Sequence, residues 1–234
     1  MTRFRLGLSL WLAGLTGIVA MSVLFVPQLM AQLPDSGIPM GVLVTLSILQ
    51  SSAFLALAVW AGTALTPSVG LHVRAAALRP SIVAGLLGGL AGGAMLVAFF
   101  ELAPPAITDA PLRAGMPLVV RLLYGGITEE LLLRWGFMTV LVWLAWRFVQ
   151  KRQGAPRAAV VWTAIVVSAV VFGLGHLPAA NLVVGYLDAT IVAFIIAGNS
   201  LFGILFGFLF WRYGLVSAIV AHALTHVVNY FVNG

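Results

Sequence analysis

Long stretches without a charged residue are the feature that most constrains this chain. Twenty-nine uncharged positions separate Arg5 from Asp35, and 23 separate Asp188 from Arg212. An apolar run of about 18 or more residues without charge indicates a transmembrane helix. Because 62% of the 234 residues are hydrophobic and only 8% are charged, the composition also excludes a soluble globular domain and a disordered chain. The sequence therefore predicts an integral membrane protein.

The apolar runs predict an all-α bundle of about seven transmembrane helices. The predicted spans are 6–30, 40–64, 81–103, 117–147, 158–177, 190–211 and 214–233. Helix is the expected state because lipid cannot form hydrogen bonds with backbone N–H and C=O groups, and a helix pairs these groups within the segment. The first run begins with charges, as a signal peptide does, but its length favours a retained span. A short re-entrant helix within 181–197 is the alternative that would add an eighth crossing.

Basic residues are concentrated in alternate loops of this predicted bundle. On one side lie Arg3, Arg5, Arg74, Arg79, Arg147, Lys151, Arg152, Arg157 and Arg212. The loops of the other side carry Asp35, Glu101, Asp109, Arg113 and Asp188. Cytoplasmic loops carry an excess of lysine and arginine. The N-terminus is therefore predicted to be cytoplasmic, and the expected location is the plasma membrane of a bacterium.

The same loops account for the net charge of +6, so the charge does not indicate a nucleic-acid partner. The chain has no cysteine, which excludes disulfides, thiolate metal sites and a cysteine nucleophile.

Charged and histidine residues in the interiors of the predicted spans occur only in the second half of the chain. An ionisable group in lipid costs about 3 kcal/mol or more and usually faces a bundle interior with a function or a partner. The set is Arg121, Glu129, Glu130, Arg134, His176, His222 and His226. We therefore expect residues 1–116 to supply three helices without chemistry, and residues 117–234 to carry any catalytic function within a single membrane domain.

The fourth span contains two adjacent glutamates and an arginine. Glu130 and Arg134 are four residues apart, acid first, so they can pair on one helix face. Glu129 is turned about 100° away, which leaves its carboxylate available as a general base. The alternative is a buried charge cluster that only fixes helix packing.

Histidines lie in two further spans. His176 shares a face with Phe172 at the end of the fifth span, and by itself it is better explained as an interfacial or hydrogen-bonded residue than as a catalyst. His222, His226 and Asn229 form one polar stripe on the last span. Two histidines at i and i+4 have the spacing of metal ligands on a metalloprotease helix, although a proton path through water is the competing explanation.

These motifs, taken in order, resemble the CAAX prenyl protease and bacteriocin-processing family of intramembrane endopeptidases. The pattern is Glu129-Glu130 followed by Arg134, then Phe172 with His176, then His222-Ala223. The resemblance covers about half of the chain, residues 117–234.

The resemblance implies hydrolysis of a peptide bond in a membrane-associated protein or peptide. Glu129 and His176 would activate a water molecule, and Glu130 with Arg134 would be the supporting pair. His222 and the residue four positions later would stabilise the oxyanion. That later residue is usually asparagine in the family, whereas here it is His226. If a divalent metal such as zinc takes part, His176 and His222 are the expected ligands, together with a carboxylate.

Two other functions remain open at this point. The buried glutamates and histidines would also suit a proton-coupled transporter, but no repeat relates residues 1–116 to 117–234, as is frequent in transporters. A non-catalytic family member acting as a scaffold or immunity protein is the other alternative. In each case the partner is the lipid bilayer, and for the enzyme also a peptide or protein.

Overall fold

The computed structural model describes residues 2–33, 37–74, 77–110 and 115–233. Within these ranges the chain is helical and contains no strand. Asp35 and Arg113, two of the loop charges used to predict the orientation, lie outside the described residues.

Among the residues that the structure describes, seven helices or helix pairs are long and apolar enough to cross a membrane. We label the helices α1 (Arg3–Met30), α2 (Met40–Val69), α3 (Leu78–Glu101), α4 (Leu118–Val149), α5 (Ala158–Gly175), α6 (Leu177–Val184), α7 (Ala189–Tyr213) and α8 (Leu215–Asn233). The fifth span consists of α5 and α6 together. The predicted all-α bundle of seven spans is confirmed. The alternative eighth crossing is absent from the described residues, because α6 has only 8 residues and cannot span a bilayer alone.

Most of α4 departs from the regular α-helix that the sequence predicts. It is π-helical over Arg121–Glu129, Leu131–Met138 and Ala145–Val149. The hydroxyls of Thr128 and Thr139 accordingly donate to backbone carbonyls five residues earlier, at 3.3 and 3.1 Å. Such windings are rare and frequently occur at functional sites. Because a π-helix puts more residues into each turn, the same number of residues covers a shorter length of the helix axis than in an α-helix.

The first three helices pack closely around α4 and α8 through small residues. On α1, Gly14 O accepts a hydrogen bond from Thr128 Oγ1 at 2.7 Å, and a Cβ on Gly17 would overlap Leu123 of α4. On α3, a Cβ added at Gly85, Gly89 or Gly93 would likewise overlap a residue of α8. Small residues allow helices in lipid to approach closely, and here they hold the helices that carry the charges.

Two interruptions set the positions of the histidines. Between α5 and α6 the chain turns at His176, because Pro178 has no backbone N–H to continue the helix. Between α7 and α8, Gly214 adopts a φ of +88°, which favours glycine. The first two amides of α8, of Leu215 and Val216, then donate to the carbonyls of His72 and Val73 at 3.0 and 2.8 Å. The loop before α3 thus fixes the start of α8.

Candidate active site

A cavity of about 900 Å³ lies among the helices of the second half, with α3 and part of α1 as further walls. Its lining includes four of the six predicted site residues, Glu129, His176, His222 and His226. The other two, Glu130 and Arg134, lie directly behind it and are 0% and 1% exposed. The residues that sequence patterns selected on three separate helices therefore meet at one place.

Glu130 and Arg134 are paired, as their spacing predicts. Glu130 Oε1 is 3.1 Å from Arg134 Nη1, and Arg134 Nη2 donates to the carbonyl of Gly203 at 3.3 Å. The guanidinium also lies 5.1 and 5.6 Å from the ring centroids of Phe172 and Phe206, where a cation is attracted to the aromatic face. The Nη1 contact lacks the alignment of a hydrogen bond, and Glu130 Oε2 has no hydrogen-bonding partner among the described residues.

His222 connects this buried pair to the cavity. Its Nδ1 lies 2.8 Å from Glu130 Oε1, and because an ionised carboxylate only accepts hydrogen bonds, Nδ1 is the donor. The opposite ring nitrogen, Nε2, lies 3.9 Å from Glu129 Oε2. The Glu129 side chain is 18% exposed and lines the cavity. One glutamate thus orients the imidazole while its neighbour faces the cavity, a division that the sequence predicts without identifying His222 as the partner of Glu130.

His176 is held in a comparable way. Its Nδ1 lies 2.8 Å from the backbone carbonyl of Phe172, and since a carbonyl only accepts, Nδ1 carries the proton. This assignment leaves the lone pair on Nε2. The imidazole also contacts the edge of the Phe172 ring, with centroids 4.6 Å apart. His176 therefore makes the hydrogen bond of the simpler sequence explanation, and it lines the cavity as well.

His226 stacks on His222, with ring centroids 5.0 Å apart and planes inclined by 27°. Space for both rings comes from Gly125 on α4, where a Cβ would lie 2.8 Å from His226 Nε2 and 3.5 Å from His222 Nε2. At Gly126 a Cβ would lie 3.0 Å from that of Ala223. This glycine pair is not among the residues predicted from the sequence. Its signal was present, as two glycines one turn before the glutamates on the one span with a charge cluster.

Aromatic side chains form much of the remaining wall. Phe99, Phe194 and Phe202 line the cavity, and Phe206 stacks on His222 with centroids 4.6 Å apart. The sequence does not identify them, because phenylalanines facing lipid and phenylalanines facing a cavity occur in equally apolar helices. Arg121 and Asn229 also line the cavity.

The predicted metal site is not assembled as a set of three ligands. Among residues 2–33, 37–74, 77–110 and 115–233, no three His, Asp or Glu side chains are grouped closely enough to hold a metal ion. His176 and His222 each use Nδ1 in a hydrogen bond and keep Nε2, the arrangement of a ligating histidine, but Glu129 does not complete the set. Metal binding through these two residues stays a prediction, and no step below depends on it.

A model of one protein family matches the part of the chain that builds this site. The family is described as type II CAAX prenyl endopeptidase, Rce1-like, and the match covers residues 112–228, half of the chain. No curated protein and no solved structure matches the chain. The matched range contains all six predicted site residues.

Proposed function

The chain belongs to the Rce1-like family of type II CAAX prenyl endopeptidases, and on that premise we propose that it hydrolyses a peptide bond inside the membrane. The observation that carries the proposal is the meeting of Glu129, His176 and His222 at one cavity of about 900 Å³. The substrate is a membrane-associated peptide or protein, because the cavity is formed by transmembrane helices with aromatic walls.

Glu129 acts as the general base. Its carboxylate takes a proton from a water molecule, and His176 orients that water through the lone pair on Nε2. The hydroxide attacks the scissile carbonyl carbon and forms a tetrahedral oxyanion. When the C–N bond breaks, the proton held by Glu129 passes to the leaving amine, which restores the carboxylate.

His222 and His226 stabilise the oxyanion by hydrogen-bond donation. Since Glu130 holds the Nδ1 proton of His222, Nε2 of that ring donates only as an imidazolium, whose positive charge also favours the oxyanion. Arg134 lies 3.1 Å from the same carboxylate oxygen of Glu130 and keeps the pair in position. His226 supplies the second donor where the family usually has asparagine.

The cavity opens on the side opposite the basic loops. Its lining reaches Glu101 at the end of α3, then Ile107 and Thr108, and Asn233 at the end of α8. With a cytoplasmic N-terminus, as the positive-inside rule predicts, this mouth faces the non-cytoplasmic side. The chain has no cysteine, so Thr108→Cys and Gln153→Cys can be labelled separately in intact cells with an impermeant maleimide. We expect label on Thr108→Cys only, and the reverse pattern would overturn the orientation.

The decisive experiment is cleavage by the purified protein in proteoliposomes. We expect Glu129→Gln to lower kcat by about 10²–10⁴-fold, the usual contribution of a general base, without changing the melting temperature. Asp109→Asn makes the same chemical change in an exposed loop and should cleave like the wild type. Peptides with and without a farnesyl group, analysed by mass spectrometry, decide whether the lipid is required. If Glu129→Gln cleaved at the wild-type rate, Glu129 would not be the general base. If the wild-type protein did not cleave any peptide, a non-catalytic role would be favoured.

A further inference from the structure

Arg121 is a cation in the cavity that the mechanism above does not use. Among the described residues that line the cavity, it is the one arginine or lysine. Its Nε donates to the carbonyl of Met116 at 2.8 Å, and its guanidinium lies 5.9 Å from the ring centroid of Tyr230. No described aspartate or glutamate lies within 4.0 Å of it. An arginine in a membrane-spanning segment without an acidic partner is costly and indicates a function.

The two Nη groups of Arg121 are the available part of the side chain. The bond to Met116 uses Nε only, and no described acceptor is bonded to Nη1 or Nη2. These two groups form the end of the guanidinium fork, which suits the two oxygens of a carboxylate. The aromatic walls of the cavity strengthen such a pairing, because a low dielectric raises the attraction between opposite charges.

A polar track on α8 runs from the proposed catalytic end of the cavity towards Arg121 and the mouth. His222, His226, Asn229 and Asn233 follow at i, i+4, i+7 and i+11, and all four line the cavity. They span about 16 Å at the rise of an α-helix. The side-chain amides of Asn229 and Asn233 are hydrogen-bonded to each other at 2.9 Å. A peptide lying along this track would have its reacting carbonyl near His222 and its outer end near Arg121.

The spacing on α4 limits how far apart the two ends can be. Arg121 precedes Glu129 by eight residues, which is at most about 12 Å along a helix. An extended peptide covers about 3.3–3.6 Å per residue. The separation of the two backbone positions therefore corresponds to about three to four residues of an extended peptide.

We propose that Arg121 is a specificity-determining residue that binds a carboxylate of the substrate and orients the peptide with its C-terminal end towards the mouth. The inference rests on the proposed function, since it assigns the residue that positions the peptide in the same cavity. The carboxylate is either that of the peptide's C-terminus or that of an acidic side chain near it. The two share the same chemistry at the guanidinium, and they are separated by experiment.

The test is peptide binding in the Glu129→Gln background, where cleavage is removed. The probes are a fluorescent apolar octapeptide with a free carboxylate, its C-terminal amide, and the amide with glutamate as last residue. With Arg121 present we expect the free acid to bind at least tenfold more tightly than the plain amide. Arg121→Gln keeps a donor for the Met116 carbonyl, and it should weaken binding of the free-acid peptide until its affinity equals that of the amidated peptide. Arg121→Lys should retain part of the preference.

The third probe identifies the source of the carboxylate, because glutamate on an amidated peptide restores tight binding only if a side chain is accepted. Equal binding of acid and amide, equal weakening of both by Arg121→Gln, or no binding of any probe would overturn the proposal. Equal binding of acid and amide is expected if Arg121 binds lipid phosphate, and equal weakening of both is expected if Arg121 only supports the structure through the Met116 carbonyl. Binding is measured without turnover. A preference for the acid together with no cleavage by the wild type would therefore refute the proposed hydrolysis and leave the carboxylate site at Arg121 supported.

Discussion

The two halves of the molecule differ in what they contribute to the cavity. The helices α1 to α3 have no ionisable residue in their interiors, whereas those after residue 116 carry six site residues and Arg121. The family match also falls on the second half, at residues 112–228. Burial follows the same division, since 11% of the most apolar stretch of α2 is buried against 39% in α8. The most apolar stretches of the first three spans are 11–28% buried, and those of the other four are 33–39% buried.

The first half is nevertheless part of the site, because it determines where α4 lies. Gly14, Gly17 and Gly62 are the points at which α1 and α2 approach that helix. Trp135 Nε1 donates to Thr63 Oγ1 at 3.3 Å, which ties α4 to α2 just beyond the glutamates. The comparison shows that small and uncharged residues of the first half position the ionisable residues of the candidate site. Substitutions in each half should therefore fail in different ways.

The largest effect on stability is expected at the buried pair of the second half. Glu130→Gln keeps an acceptor for His222 but leaves the Arg134 charge without compensation, and Arg134→Met leaves Glu130 uncompensated. Breaking a buried pair in this way costs about 3–5 kcal/mol. We expect a clear loss of thermal stability in detergent for each variant, and a smaller loss for the double variant, which removes both charges.

Glu101→Gln is the control for this prediction, because it neutralises an exposed glutamate at the end of α3. It should melt like the wild type. If Glu130→Gln and Arg134→Met also melted like the wild type, the pair would not be the structural support of the second half.

A smaller but informative effect is expected at Gly17 in the first half. A Cβ there would overlap the Leu123 carbonyl and the Thr128 hydroxyl, so Gly17→Ala must push α1 and α4 apart. Overpacking of this kind costs about 1–3 kcal/mol, and we expect cleavage to fall because Glu129 moves with α4. Gly7→Ala on the same helix is the matched control, since its Cβ would have its nearest neighbour at 3.7 Å. Identical stability and cleavage for the two variants would mean that the first half does not shape the site.

Sequence patterns identify candidate residues best where membrane physics makes a residue conspicuous. Charged and histidine side chains in apolar helices are rare because they are costly, so Glu129, His176 and His222 stood out individually. Their meeting at one cavity follows from the same cost, because each needs a polar environment. The seven spans were predictable for the converse reason, since a helix that crosses a bilayer must be long and uncharged.

Other features were not predictable because they depend on contacts between helices. The π-helical winding of α4 has no signature in residue periodicity, although it determines how Glu129 and Glu130 are presented. The bond between Glu130 and His222 joins residues 92 positions apart. Gly125 matters only because His226 lies against it. Each of these features becomes visible only when the partner helix is in place.

The smallest effect is expected when His226, which departs from the family pattern, is replaced by the asparagine that the family usually has. Oxyanion stabilisation needs a donor at position 226, and asparagine carries one as histidine does. We therefore expect His226→Asn to keep kcat within about tenfold of the wild type, whereas His226→Ala should lose about 10²–10³-fold, the usual effect of removing one such donor. Both variants also lose the stacking on His222, so the difference between them reports the donor rather than the packing. Equal loss in the asparagine and alanine variants would show that the imidazole itself is required, and the donor role would have to be abandoned.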